Sequence, residues 1–401
     1  MGCFITNIAF YKRLVAGEFK SNSGAFQSQW RESISQLGAQ STNSFALFFF
    51  YVARACGRSG ENFFTSTLDH KNARNGVLRD IGQVLEKIDI LEYDFNSTQF
   101  SQIISAYHML RMFPQGRFKY KLIQGTQSVF PDADAQSCYN FINNFARLAV
   151  YPGDDWIEAW WKRTSNFFDK MRDNWIDDIV YRLAILDYLR SQDKRYRNDK
   201  RYRNIESPCR EVANGLLEIY RDKKDEFYPD KRMPKQITDA AIWFDFDLRM
   251  QKFTSEHEIS SSSHDEKRFR KAFQAAGANL SVFYETSLDH QFDISLQFNC
   301  RSFAIEIDGA PHMLTGTADG KLYYDGATRF QTASIMKELP TNLKLVRIPS
   351  VYLMNNRGFN IQQIAMSLLQ ASGKVNGQPV IMHDTNKFVP VTDPNCWRLS
   401  T

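Results

Sequence analysis

The sequence has no run of about 18 uncharged apolar residues, so no segment reads as a membrane-spanning helix. Its apolar runs, such as Phe45 to Val52, are short enough for core helices. Cys-x-x-Cys pairs are missing: Cys3, Cys56, Cys138, Cys209, Cys300 and Cys396 are scattered. That scatter argues against a zinc site or a disulfide framework and fits an intracellular, reducing compartment, cytoplasm or organelle. No secretory leader is visible, although Met1-Gly2-Cys3 with Thr6 matches a lipidation pattern. A strong charge of one sign is also lacking. The net charge of +5 permits a nucleic-acid partner and does not require one. Finally, alternating strand patterns are missing from about Gln27 to Met250. That absence leaves a helical N-terminal part, and 401 residues leave room for two or three domains.

A repeat is present instead. Phe100, Ile103, Ile104, Tyr107 and Leu110 form an apolar stripe at helical spacing. Thirty-eight residues on come Cys138, Phe141, Ile142, Phe145 and Leu148, and the same step again reaches Ile176, Ile179, Val180, Leu183 and Leu186. The stripe occurs once more upstream, at Phe45, Phe48, Phe49, Val52 and Ala55. Its spacing to the next copy is wider, so an insertion or a divergent unit follows it. Pro152 with Asp154 and Asp155 ahead of Trp156 marks a helix start, acids lying where the helix dipole favours them. Each unit therefore reads as a helix pair that buries its apolar face by stacking on the next.

The polar positions share this register. Gln102 becomes Asn140 and then Asp178, Ala106 becomes Asn144 and then Arg182, and Ser105 becomes Asn143 and then Tyr181. Polar side chains that vary at a fixed place suit a base-reading surface, and they suit an ordinary solvated helix face as well. The pentapeptide KRYRN then occurs twice between Lys194 and Asn204, interleaving Tyr196 and Tyr202 with Arg195, Arg197, Arg201 and Arg203. Such a mixture can grip phosphates and stack bases; the alternative is a solvated linker.

These units resemble octotricopeptide repeats, helix-pair repeats found beside RAP domains. The stretch AVYPGDDWIEAWW resembles their proline-then-tryptophan link, and related units occur in Fas-activated kinase-like mitochondrial proteins. The resemblance implies a curved solenoid that binds single-stranded RNA.

The Ser-rich stretch Thr254 to His264 marks a domain boundary. The pattern predicts a repeat solenoid over 1–255, a small α/β domain over 256–373 and a tail over 374–401 laid over the surface or partly mobile. Within the second domain a helix is predicted at Asp265 to Gly277 and strands near Val282–Glu285, Gln291–Gln297 and Ser302–Ile307. A helix at Tyr324–Leu339 and a strand at Lys344–Pro349 complete it. Helices near 205–221 and 236–252 are expected to close the solenoid. Asp293, Glu306 and Asp308 sit at strand ends, an Asp-Gly turn follows, and then comes His312. Carboxylates facing one another from adjacent strands can hold a hard cation such as Mg²⁺.

The strings IEIDGAPHM, YYDGATRFQTASIMKEL and KLVRIP resemble a RAP domain and the very-short-patch-repair branch of the PD-(D/E)xK nucleases. The resemblance implies a multidomain α + α/β protein, a helical repeat solenoid followed by a restriction-endonuclease-like domain. It implies Asp293 and Glu306 as ligands of Mg²⁺ or Mn²⁺, with Glu266 as a further carboxylate and His312 as general acid or base. Asp308 falls where that signature usually has Lys; it can add a metal ligand or shape the Gly309 turn. Arg329 can hold the scissile phosphate or pair with Asp325. Three functions remain in view: a metal-dependent endoribonuclease acting on single-stranded RNA, a non-catalytic RNA-binding protein, and a helical protein-interaction scaffold.

Overall fold

A computed structural model describes residues 90–92, 94–170, 173–198, 202, 205–227, 235–248, 264–280, 292–316, 319, 321–338, 343–350, 365–368, 380–384, 387–391, 393 and 396–399, with Ala46 and Ala53. The upstream stripe and the strand predicted at 282–285 lie outside these residues. The chain divides into two compact units. One is Met1–Leu216 with Leu314–Gly320; the other is Leu217–Met313 with Lys321–Thr401. The architecture is α followed by mixed α/β.

In the first unit α1 (Ser97–Met109) and α3 (Ala135–Arg147) start one repeat length apart, and the described part of α5 (Asp173–Gln192) carries the next copy of the stripe. Between them α2 (Gly116–Ser128) and α4 (Asp154–Thr164) start at the same interval. The start and stop signals keep the period too. Asn96 and Asp134 cap α1 and α3, their side chains accepting the N–H groups of Gln99 and Ser137 at 2.9 and 2.7 Å. Arg111 and Ala149 follow the two helix ends in the left-handed conformation, each with φ of 55°. All fifteen stripe positions are buried. They pack α1 on α3 and α3 on α5, while α2 meets α4 in a second row. On α4 the buried Trp156 and Trp160 donate their indole N–H to Thr126 Oγ1 and the Cys138 carbonyl, at 3.1 and 2.9 Å. α6 (Lys194–Asn198) and α7 (Pro208–Phe227) follow.

The α1–α2 crossing needs a glycine. A Cβ on Gly125 would stand 2.3 and 2.5 Å from two ring carbons of Phe100. Gly125→Ala is therefore expected to destabilise this unit by about 1–3 kcal/mol through overpacking. The urea midpoint measures it, and an unchanged midpoint would mean that the Phe100 ring moves aside freely.

The second unit is built on a five-stranded mixed sheet. β2 (Ile294–Phe298) and β3 (Arg301–Asp308) form an antiparallel hairpin. β3 runs parallel to β6 (Leu343–Pro349), β6 parallel to β7 (Val380–Asp384), and β7 antiparallel to β8 (Lys387–Pro390). Alternation along β3 and β6 supplies the two faces. Phe303, Ile305, Val346 and Ile348 pack with Phe269 and Phe273 of α9 (His264–Ala275). Ala304, Leu343 and Leu345 pack with Ile335 of α10 (Gly326–Glu338) on the other.

Two expectations are corrected. In the part expected to be a tail laid over the surface, residues 380–384, 387–390 and 398–399 instead furnish β7, β8 and β9 (Arg398–Leu399), the last paired antiparallel with β5 (Leu322–Tyr324). Their short apolar runs complete hydrogen-bond ladders that an extended tail would leave open. The helix α8 (Lys235–Phe244), expected among the helices closing the repeats, belongs to the second unit. It packs on α10, with Trp243 edge-on to Phe330 at 5.4 Å and its carbonyl accepting Lys337 Nζ at 3.0 Å. Two further short strands, β1 (Met112–Phe113) and β4 (Met313–Gly316), pair in parallel through Thr315 and Gly316.

Candidate functional site

The acidic site begins with hairpin register. Ile294 lies opposite Ile305, so one step further Asp293 stands beside Glu306 on the sheet face away from α9. Asp293 Oδ2 accepts the Ile307 N–H at 2.7 Å, which fixes the carboxyl against β3. Arg270 of α9 donates to the Asp293 carbonyl and, through Nε, to Glu266 Oε1 at 3.1 Å. Asp293 thus feels the charge of Glu306, beside it across the hairpin, and of Glu266 on α9. Burial, then the neighbouring Glu306, pushes the Asp293 carboxyl up to about 6, against the pull of the Ile307 N–H. Glu266 and Asp308 add smaller pushes in the same direction. Two crowded carboxylates whose charges oppose one another fit a hard cation bound through oxygen.

Asp308 is not part of that set. Its carboxylate is buried and held by two parallel hydrogen bonds from Arg347 of β6, Nε to Oδ2 at 3.0 Å and Nη2 to Oδ1 at 2.8 Å. Arg347 Nη1 also donates to Thr332 Oγ1 of α10 at 3.1 Å. Burial works against the Arg347 charge, and Asp308 overrides it, so the guanidinium is held more firmly protonated than usual. The expectation of Asp308 as a third metal ligand is corrected accordingly: both its oxygens are engaged by Arg347. Among the described residues no group of three or more His, Cys, Asp or Glu side chains is arranged to hold a metal ion.

His312 ends the 3-10 turn Ala310–His312. Its Nδ1 lies 2.9 Å from Thr328 Oγ1, and its carbonyl accepts the Asp325 N–H at 3.0 Å. Both contacts pin the turn to the start of α10. Asp325 itself caps that helix, its Oδ1 accepting the Thr328 N–H at 2.8 Å. Arg329 Nε donates to the Tyr324 carbonyl at 2.8 Å, and its guanidinium lies 5.8 Å from the Trp397 ring centre. These contacts give Arg329 a structural role in place of the expected grip on phosphate.

The polar register of the repeats has a different use from the one predicted. Its side chains bridge successive helices. Asn140 donates to Ser101 Oγ at 2.7 Å, Asn144 to Ser105 Oγ at 3.0 Å, and Tyr139 OH to Asp178 Oδ2 at 2.7 Å. Arg147 Nη1 donates to His108 Nε2 at 3.4 Å, and its Nε to Asn143 Oδ1 at 3.1 Å. Asn144 is 3% exposed, so it presents no free edge to a base, and Arg182, 4% exposed, faces Asp178 at 3.6 Å. Asn140, Asn144 and Asp178 are corrected to inter-helix ties. Gln102 remains half-buried, with an Oε1 that has no hydrogen-bond partner.

The first KRYRN copy forms α6. Tyr196 packs edge-on to Tyr151 at 5.5 Å and to Tyr202 at 5.0 Å, and its hydroxyl accepts the Asp154 N–H at 3.2 Å. Arg195 is paired with Asp193 at 2.7 Å, and Arg197 is exposed. Tyr196 and Tyr202 are therefore packing residues, not free stacking platforms. Arg201 and Arg203 lie outside the described residues.

Sequence reasoning does not single out Arg347 or His108. One signal for Arg347 is available: a lone Arg inside the apolar strand KLVRIP demands a buried partner. A scan against protein-family models finds no match, and a search of curated proteins finds none. Among the described residues no helix is long and apolar enough to cross a membrane.

Proposed function

We propose that the protein binds single-stranded RNA through an octotricopeptide-like solenoid and cleaves it as a metal-dependent endoribonuclease in a RAP-type, nuclease-like C-terminal domain. The observation that carries the cleavage reading is the Asp293–Glu306 pair, two carboxylates from adjacent strands, of which Glu306 raises the proton affinity of Asp293. They would hold Mg²⁺ or Mn²⁺, with Glu266 beside them. The cation, when bound, supplies Lewis-acid polarisation of the scissile phosphodiester. His312 is oriented by Thr328 through Nδ1, which leaves Nε2 to move a proton.

Asp293→Ala with Glu306→Ala is expected to abolish Mg²⁺-dependent cleavage of a labelled RNA and leave its binding intact. Mg²⁺ should also raise the melting temperature of the wild type and not of the double variant. Undiminished cleavage by the double variant would overturn the assignment.

A second reading, RNA binding without chemistry, is favoured by one observation. Asp308 stands where a nuclease of this type carries Lys, and Arg347 neutralises it. An Asp so bound cannot steady the charge that develops on the phosphoryl oxygens. Under this reading RNA binding persists and no cleavage appears with any divalent cation.

A further inference from the structure

Cations collect on one face of α1, α3 and α5. Arg147 projects from the end of α3 and Arg182 from the middle of α5, with Arg111 just past the end of α1. His108 of α1 joins them. Arg147 has only protons to give, so His108 Nε2 accepts from its Nη1 at 3.4 Å. The imidazole is therefore neutral: burial first, then Arg147, Arg111 and Arg182, pushes it down to about 3. His108 orients Arg147 without adding charge. Asp178 answers Arg182 at 3.6 Å, and its other oxygen is taken by Tyr139 OH. Arg147 is left with the neutral acceptors His108 and Asn143.

Arg182 is the telling member. It is more than nine-tenths buried and its Nε has no hydrogen-bond partner. Burial, and Arg147 after it, pulls its pKa below the usual value. An unmet donor on a buried guanidinium is costly, and an anion accepting from it removes that cost. The flanking side chains are aromatic: Tyr139 stacks on Trp175 at 4.8 Å, and the Arg182 guanidinium lies 5.1 Å from the Tyr181 ring centre. Tyr139, Trp175 and Tyr181 are at most partly exposed. Cations interleaved with accessible rings suit a nucleic-acid strand better than a phosphorylated protein.

We propose that Arg147 and Arg182, with Arg111 beside them and His108 orienting Arg147, form a subsite for one backbone phosphate of single-stranded RNA. It rests on the RNA-binding reading above and names where that strand is gripped. Arg147 and Arg182 would share the phosphate oxygens, while Tyr181 and Trp175 offer faces to adjoining bases.

The test uses the full chain and a fluorescein-labelled single-stranded RNA pool of mixed sequence, with anisotropy read across a salt series. Arg147→Gln and Arg182→Met are each expected to weaken binding about tenfold and to reduce the slope of log affinity against log salt by about one. Lys162→Gln, a cation on α4, should change neither. Melting curves check folding; Arg147 is partly exposed, so its variant keeps the test valid if Arg182→Met fails to fold. Wild-type binding with unchanged affinity and slope in the Arg147 variant overturns the subsite and leaves RNA binding standing. No salt-dependent RNA binding by the wild type overturns both, as does binding of a phosphopeptide in place of RNA.

Discussion

Arg347→Met is expected to melt the C-terminal unit about 10 °C below the wild type, by loss of about 3–5 kcal/mol. Arg347 is 1% exposed and Asp308 2% exposed. Neither charge meets water, so each is tolerated only because the other is there. Removing the guanidinium leaves a buried carboxylate with nothing to answer it, and leaves Thr332 Oγ1 without its donor. The double variant Arg347→Met/Asp308→Leu removes both charges and should recover most of the loss, because apolar side chains of similar size replace a buried pair at little cost. Circular dichroism melts of the three proteins decide it. If the single and double variants melt together, the ion pair is not what joins β3 to β6.

Asp154→Ala is expected to cost about 3 kcal/mol and to loosen α6. Asp154 sits at the start of α4, as the helix-start reading requires, and its carboxylate does more than favour the dipole. Its two oxygens take Arg190 Nε and Nη2, both at 2.9 Å, and Oδ1 also accepts Tyr151 OH. Burial works against the Arg190 charge, and the Asp154 bonds hold it on. The Arg190 guanidinium lies 4.7 Å from the Tyr196 ring centre, so α6 is fastened through this one carboxylate and the adjoining N–H. The readout is trypsin cleavage after Arg195 and Arg197, which should become faster in the variant along with a lower melting temperature. Unchanged cleavage with a lowered melting point would mean that α6 is held by its own packing.

The parts of the fold that are legible in the sequence are those set by short-range spacing. The repeated stripes, the strand pair around Asn299 and the strand Leu343–Pro349 all follow from apolar periodicity, with boundaries off by a few residues at most. What is not legible depends on how distant segments are set side by side. Asp308 and Arg347 are far apart along the chain, and their meeting depends on the parallel register of β3 and β6 across an intervening helix. The polar side chains of the repeats have a readable register and an unreadable neighbour. Asn140 and Asn144 reach back to α1 at an offset of one position more than the period, which faces them to the preceding helix. Asp293 is legible as a candidate because a carboxylate at a strand end needs a partner; that Glu306 is the group beside it follows from hairpin register.

The caps and left-handed residues of the repeats bear on how such a chain can grow. Each unit carries its own opening signal, Asn96 or Asp134, and its own closing residue, Arg111 or Ala149. The ties between units run from one helix to the next at one fixed offset. A duplicated unit would arrive with its start, its stop and its mating surface already specified, and would need no new complementary partner elsewhere in the protein. Gain or loss of whole repeat units is therefore a small evolutionary step for this part of the molecule. The C-terminal sheet allows no such step, because its buried charges are matched across single, unrepeated strand pairings.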